Sequence, residues 1–186
     1  AMLGKDADGR DAQLELTSVG TDESRKLSGR LRMPVDLAQQ LGLSNGQPVA
    51  AGEGEVQLSF SSEGRSPGAA LAAAQGEGAF ALEGLRLLGL TPSAFTASLA
   101  TARDAAGITA AFAAMRGGAG LDLGAARGAI ALTSGEMRFA PVQHADGDAT
   151  VSAIADLAQG EIDIEVDLSL KARDSLPKMS VAYAGP

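Results

Sequence analysis

Four carboxylates recur at every second position of one stretch: Glu161, Asp163, Glu165 and Asp167 alternate with Ile162, Ile164, Val166 and Leu168. Residues of those types could hold a metal ion or form a general acid–base pair. Strand geometry argues against both. Alternate residues on one strand stand about 6.6 Å apart, whereas every oxygen around a calcium ion lies within roughly 2.6 Å of it. A retaining pair of carboxylates, about 5–5.5 Å apart, would ordinarily come from two strands. The segment also has no Lys or Arg facing the row to shift a pKa. The row is read as the solvated face of a one-sided sheet, where charge also opposes edge-to-edge aggregation.

The remaining polar clusters point to turns. His144-Ala-Asp-Gly-Asp148 places the only histidine beside two aspartates, but Asp-Gly between alternating runs is a hairpin signal. Asp6–Ala12, "DADGRDA", looks like half of a calcium loop. Position twelve counted from Asp6 is Thr17, where an EF-hand needs Glu. A single histidine in a turn is a poor general base, so serine nucleophile chemistry is not expected. "GGAGLDLG" has glycines but no Gly-Lys-Ser/Thr, so it is no phosphate loop. The chain is therefore read as non-enzymatic, with no catalytic, cofactor or metal residues and no cofactor.

Bulk properties narrow the partners. A net charge of −8 argues against nucleic acid and against simple adsorption to an anionic membrane. Without cysteine there are no disulfides, thiolate nucleophiles or zinc–thiolate sites. No apolar run reaches the roughly 18 residues that suggest a membrane span. The Ala-Met start reads as a cloning remnant. An excised segment is expected, with membrane contact only through a part outside this chain.

The elements that must position any site alternate with frequent Gly breaks. Residues 1–10 are read as a frayed start and 11–186 as one domain. Leu14 and Leu16 mark a first strand, and Leu27, Leu31 and Met33 a second that Pro34 ends. Pro34 then opens a short helix through Leu37 and Leu41, closed at Gly42. Val56, Leu58 and Phe60 mark a strand. "SPGAALAAAQ" reads as a short helix. Gly76-Glu77-Gly78, which echoes Gly52-Glu53-Gly54, opens a strand through Phe80 and Leu82. Thr91 or Ser93 should cap a helix bearing Phe95 and Leu99. Ile108, Phe112 and Met115 also fit helical spacing, up to Gly117. Strands are expected over 128–133, 136–143, 149–157, 161–170 and 178–183, joined by short links. The fold class is α+β, mainly β: a curved antiparallel sheet meander with a few short helices inserted or packed on one side.

Interest then passes to the apolar face. Ile130, Leu132, Met137, Phe139, Val151, Ile162, Ile164, Val166, Leu168, Val181 and Tyr183 must meet something. Either helices cover them in an ordinary core, or they wall a groove for acyl chains. Periodicity leaves both open.

The carboxyl part has a family look. "GITAAFAAMRGG", "GDATVSAIADLAQG" and the closing "PKMSVAYAGP" resemble the C-terminal region of AsmA-like proteins. The matching positions are Gly107, Thr109, Phe112, Gly147, Ala149, Asp156, Leu157, Gly185 and Pro186, within a best match over 75–186. The resemblance implies a periplasmic module of a protein anchored in the inner membrane of a Gram-negative bacterium and linked to outer-membrane biogenesis. Larger TamB-type relatives form a long curved sheet with an apolar groove held to conduct phospholipids. Phospholipid acyl chains and envelope proteins are the implied partners. The resemblance carries no enzymatic residues. Two other readings stay open: a structural or protein-interaction domain with a closed core, and, less favoured, a hydrolase using the acidic row.

Overall fold

Runs of alternating apolar and polar residues, broken by glycine, make each strand pair with its successor in the chain. The computed structural model describes residues 2–5, 11–21, 24–41, 48–147, 149–168 and 179–185. Ten strands form one antiparallel sheet in strict chain order. They are β1 (Met2–Lys5), β2 (Asp11–Thr21), β3 (Ser24–Asp36), β4 (Ala50–Gly64), β5 (Gln75–Leu87), β6 (Leu121–Thr133), β7 (Glu136–Gln143), β8 (Ala149–Asp156), β9 (Glu161–Leu168) and β10 (Met179–Gly185). The sheet is open, with β1 and β10 at its edges. Four helices interrupt the meander: α1 (Leu37–Gln40), α2 (Pro67–Ala72), α3 (Pro92–Thr101) and α4 (Ala105–Arg116). This is the mainly β, α+β architecture that the alternation implies.

Register gives the sheet one apolar face. Directly paired residues share a face, and one row runs Leu14, Leu31, Leu58, Gly78, Ile130, Phe139, Ala153, Ile164 and Tyr183 across β2 to β10. The opposite face carries the charges, including the exposed ion pairs Arg32–Glu55, Arg86–Asp122, Arg127–Glu83 and Arg138–Glu136. Such pairs contribute little each, about 0–1 kcal/mol. Among the described residues no polar or charged side chain is buried. The core therefore rests on apolar packing.

Curvature has identifiable causes. β5 and β6 lose register between Leu82 and Leu85 and again before Arg86. In β7 and β8, Phe139 faces Ala153 while Val142 faces Val151, so β7 carries one extra residue there. That bulge holds Pro141, whose missing N–H a regular ladder would need. The β6–β7 ladder covers only Ile130–Thr133. Beyond Phe139 the two strands part, and the α3–α4 hairpin, which leaves the sheet between β5 and β6, supplies core there: Phe95, Ala111 and Met115 join one cluster with Leu90, Leu121, Val166 and Leu168. Gly128 lets the sheet fold tightly, because a Cβ there would sit 2.7 Å from the Phe80 ring.

Several expectations change. Met2–Lys5 is a strand paired with β2, where a frayed start was expected. Asp6–Arg10, with most of the half calcium loop, lie outside the described residues, as do Gly42 and Pro186. Pro34 stays within β3 opposite Glu55, and α1 is a single turn capped by Asp36, whose Oδ1 accepts from the N–H groups of Ala38 and Gln39. Among the described residues the β2–β3 ladder begins at Gln13–Arg32, two residues short of Pro34, so it makes no use of the N–H that proline lacks. Thr91 precedes α3 without capping it. Its Oγ1 instead accepts from Gly120 N–H at 3.3 Å. β6 begins at Leu121, seven residues before the expected start at Gly128, and the stretch of Ile108, Phe112 and Met115, which fits helical spacing, is helix α4, capped by Asp104.

Candidate functional site

The carboxylate row is placed as strand geometry requires. Glu161, Asp163, Glu165 and Asp167 are exposed, while Ile164, Val166 and Leu168 are buried. Their cross-strand partners on β10 and β8 include Ser180, Ala182, Ala184, Thr150 and Ser152. Ser180 Oγ donates to Glu165 Oε1 at 2.8 Å. Among the described residues no three His, Cys, Asp or Glu side chains converge on one point.

His144–Gly147 forms the hairpin turn. Gly147 N–H donates to the His144 carbonyl at 2.8 Å and takes φ 66°, which suits glycine. A second polar string calls for its own test. Gly64-Arg65-Ser66-Pro67-Gly68 has the letters of the Gly-x-Ser-x-Gly nucleophile elbow, and it lies between β4 and α2. Ser66 nevertheless has an extended backbone, φ −140°, and its Oγ accepts from Ala69 N–H as a helix cap. The only histidine follows the end of β7 at the far end of the sheet. The Ser66 hydroxyl thus serves as the cap of α2.

Two carboxylates have shifted titrations, each through local bonds. Arg86 Nη2 donates to Asp122 at 2.8 Å and Gly124 N–H adds a second bond, which together hold its pKa below the usual value. The backbone N–H groups of Gln159 and Ala158 do the same for Asp156, which closes the turn between β8 and β9. Asp122 is exposed near the start of β6, and Asp156 is half-buried at the end of β8. Burial raises the Tyr183 phenol above 10.0, opposed by the charge of Arg116.

The concave feature of the molecule is apolar. A cavity of about 250 Å³ lies between β3–β5 with α1 on one side and β7–β9 on the other. Among the described residues, Gln40 and Ser152 are its only polar lining. The β3–β5 wall is formed by Met33, Val35, Val56, Phe80, Leu82, Leu85 and Leu87, and the β7–β9 wall by Met137, Phe139, Val142, Val151, Ala153, Ile162 and Ile164. Phe80 and Phe139 meet edge to face at 5.8 Å between ring centres. They lie on either side of β6, where Gly128 leaves room for the Phe80 ring. The lining is only partly sealed: Met33, Met137, Phe139, Val142, Ala153 and Ile162 are half-buried. A larger depression, about 720 Å³, lies on the outer face over Gln57, Ser59, Glu77 and Arg138. It is shallow and rimmed by charge, so the smaller apolar cavity is the candidate site.

The apolar residues singled out from sequence divide into three groups. Met137, Phe139, Val151, Ile162 and Ile164 line the cavity. Ile130, Leu132, Val166 and Leu168 lie in the packed core, with Val166 fully inaccessible. Val181 and Tyr183 lie half-buried on the same face of edge strand β10, away from the cavity. The opposite wall, β3 to β5, was missed as part of a site. Its alternation marks strands, but no local signal reports that the sheet folds over to bring Val56 and Phe80 towards Ile164.

No family model, curated protein or solved structure matches the chain. No helix among the described residues is long and apolar enough to cross a membrane.

Proposed function

We propose that the chain is a non-enzymatic lipid-handling module whose apolar trough takes part of an acyl chain. The observation that carries this is the cavity of about 250 Å³ with an almost wholly apolar lining. A dry cavity of about 150 Å³ lined by Leu, Ile and Phe holds benzene, so this one has room for a longer hydrocarbon segment. It is smaller than the roughly 300–1,000 Å³ of sites for drug-sized ligands, which favours a stretch of one chain over a whole phospholipid. The likeness of the carboxyl part to AsmA-like proteins supports the same reading and adds a setting: the periplasm, an inner-membrane-anchored parent, and a role in phospholipid transport or outer-membrane assembly.

Photocrosslinking tests it. A photoreactive residue at Phe139 or Ile164, on the cavity wall, should capture phospholipid in Gram-negative cells, and one at Asp163, on the outer face, should not. Equal capture at all three positions would remove the support for a trough. A second reading, a protein-interaction domain, draws on the place of β10 at the end of the strand order, with exposed residues Ser180, Ala182 and Ala184 that carry no charge. Pull-down of envelope proteins that depends on Met179–Gly185, with no lipid bound, would favour it.

A further inference from the structure

The α3–α4 hairpin combines two independent features. The first is apolar exposure. Ile108 is 47 % exposed and Phe112 42 % exposed, although α4 is held firmly by Ala111 and Met115 on its inner side. Ile108, Phe112 and Arg116 follow one another four residues apart, which stacks them on one stripe of the helix. The Phe112 ring rests against Phe95 of α3, 5.1 Å between centres, so it is held in place and not free to fold inward.

The second is charge. Residues 88–121 hold Arg103, Arg116 and a single acid, Asp104, in a chain whose net charge is −8. Asp104 is turned to a structural task, its Oδ1 accepting from Gly107 N–H at 2.8 Å as the cap of α4. The hairpin base is closed by Thr91 N–H donating to the Met115 carbonyl at 2.8 Å, and by Gly120 N–H donating to Thr91 Oγ1. The hairpin thus presents an apolar stripe flanked by arginines on a preformed support, and the mean acidity of the chain conceals it.

We infer that the exposed stripe of α4, Ile108, Phe112 and Arg116, with Arg103 just before the helix, is a docking surface for a bilayer containing anionic phospholipid. Apolar side chains entering the headgroup region with cationic side chains at their flanks are what interfacial helices use. The inference stands apart from the trough, because it needs no lipid between the sheet walls.

Vesicle co-sedimentation tests it, using the intact chain at low and high salt. Vesicles of phosphatidylethanolamine with phosphatidylglycerol should bind the protein, and vesicles of phosphatidylcholine alone should not. Arg103→Gln with Arg116→Gln should lower binding to the anionic vesicles roughly thirtyfold, and the remaining binding should lose its salt dependence. Ile108→Ser with Phe112→Ser should lower it about tenfold or more. The serine pair could loosen the hairpin, so circular dichroism must show the parental fold, and Ile108→Ser alone, which leaves the Phe95–Phe112 contact intact, should still lower binding severalfold. Equal binding by parent and folded variants would overturn the inference. So would a parental chain that ignores the vesicles but forms a dimer in solution that Ile108→Ser abolishes, which would make the stripe a contact between two copies. Failure here with lipid still captured at Phe139 would remove the docking surface and leave the trough intact.

Discussion

A trough and a closed core answer oppositely to an enlarged side chain on the wall. Ala153 lies on β8 between Phe139 and Ile164 in the cross-strand row, and it lines the cavity half-buried. Ala153→Leu adds three carbon atoms that point into about 250 Å³ of space. At about 0.8 kcal/mol per buried methylene the gain is up to about 2.4 kcal/mol, less whatever rotamer freedom the leucine loses. The expected outcome is unchanged or raised stability, by about 0–2 kcal/mol. Ala111 on α4 is the matched control: it is fully inaccessible and lies outside the cavity. Ala111→Leu should cost about 1–3 kcal/mol through overpacking. Urea unfolding with a shared slope reads both values, and melting temperatures should move apart by several degrees, about 2–4 °C per kcal/mol for a chain of this size. Equal destabilisation by the two leucines would refute the reasoning, because it would mean that Ala153 faces packed atoms.

Further outcomes follow from other parts of the sheet. Gly128→Val should destabilise by about 1–3 kcal/mol in urea unfolding, since its Cβ alone would meet the Phe80 ring at 2.7 Å and Ala140 Cβ at 3.0 Å. Asp156 has its pKa held below 3.8 in the folded chain, so its contribution is present above that value and is lost as pH falls below it. Asp156→Ala should therefore lower the melting temperature at neutral pH, and the gap from the parent should close in acid. Tyr183 has a raised pKa, so ultraviolet titration should place its midpoint above 10.0, with stability declining as pH rises past 10.0 towards that midpoint. Neutralising the exposed row by Glu161→Gln, Asp163→Asn, Glu165→Gln and Asp167→Asn together should leave the fold intact by circular dichroism and reduce solubility, as expected of charges that guard a sheet.

Particular residues show what could be read from the sequence and what could not. The face of β9 was legible because Ile162 to Leu168 and Glu161 to Asp167 alternate strictly, and the period of two assigns every side chain in the strand at once. The hairpin at Asp146-Gly147 was legible because its chemistry is local. Pro34 misled because proline ends a strand only where its missing N–H is needed by a neighbouring ladder, and the described β2–β3 ladder begins at Gln13–Arg32. Thr91 misled in a similar way: its hydroxyl is claimed by Gly120, a partner 29 residues away, before it can cap α3. The trough itself was half legible. Met137, Phe139, Val151, Ile162 and Ile164 belong to it, but the facing wall of Val56, Phe80 and Leu82 depends on bulges, Gly128 and the early parting of β6 from β7. Those are long-range features with no periodicity to announce them. The same strict alternation could not separate cavity lining from core: Ile130, Leu132, Val166 and Leu168 share the apolar face and belong to the core.

The most direct measurement is lipid analysis by mass spectrometry of the full chain purified from a Gram-negative host, parent beside Ala153→Leu and Ile164→Asp. The account predicts phospholipid or fatty acid bound to the parent, and its loss from both variants with the fold preserved in the leucine variant. Parent protein free of lipid, or lipid retained undiminished when Ala153→Leu fills the cavity, would contradict it.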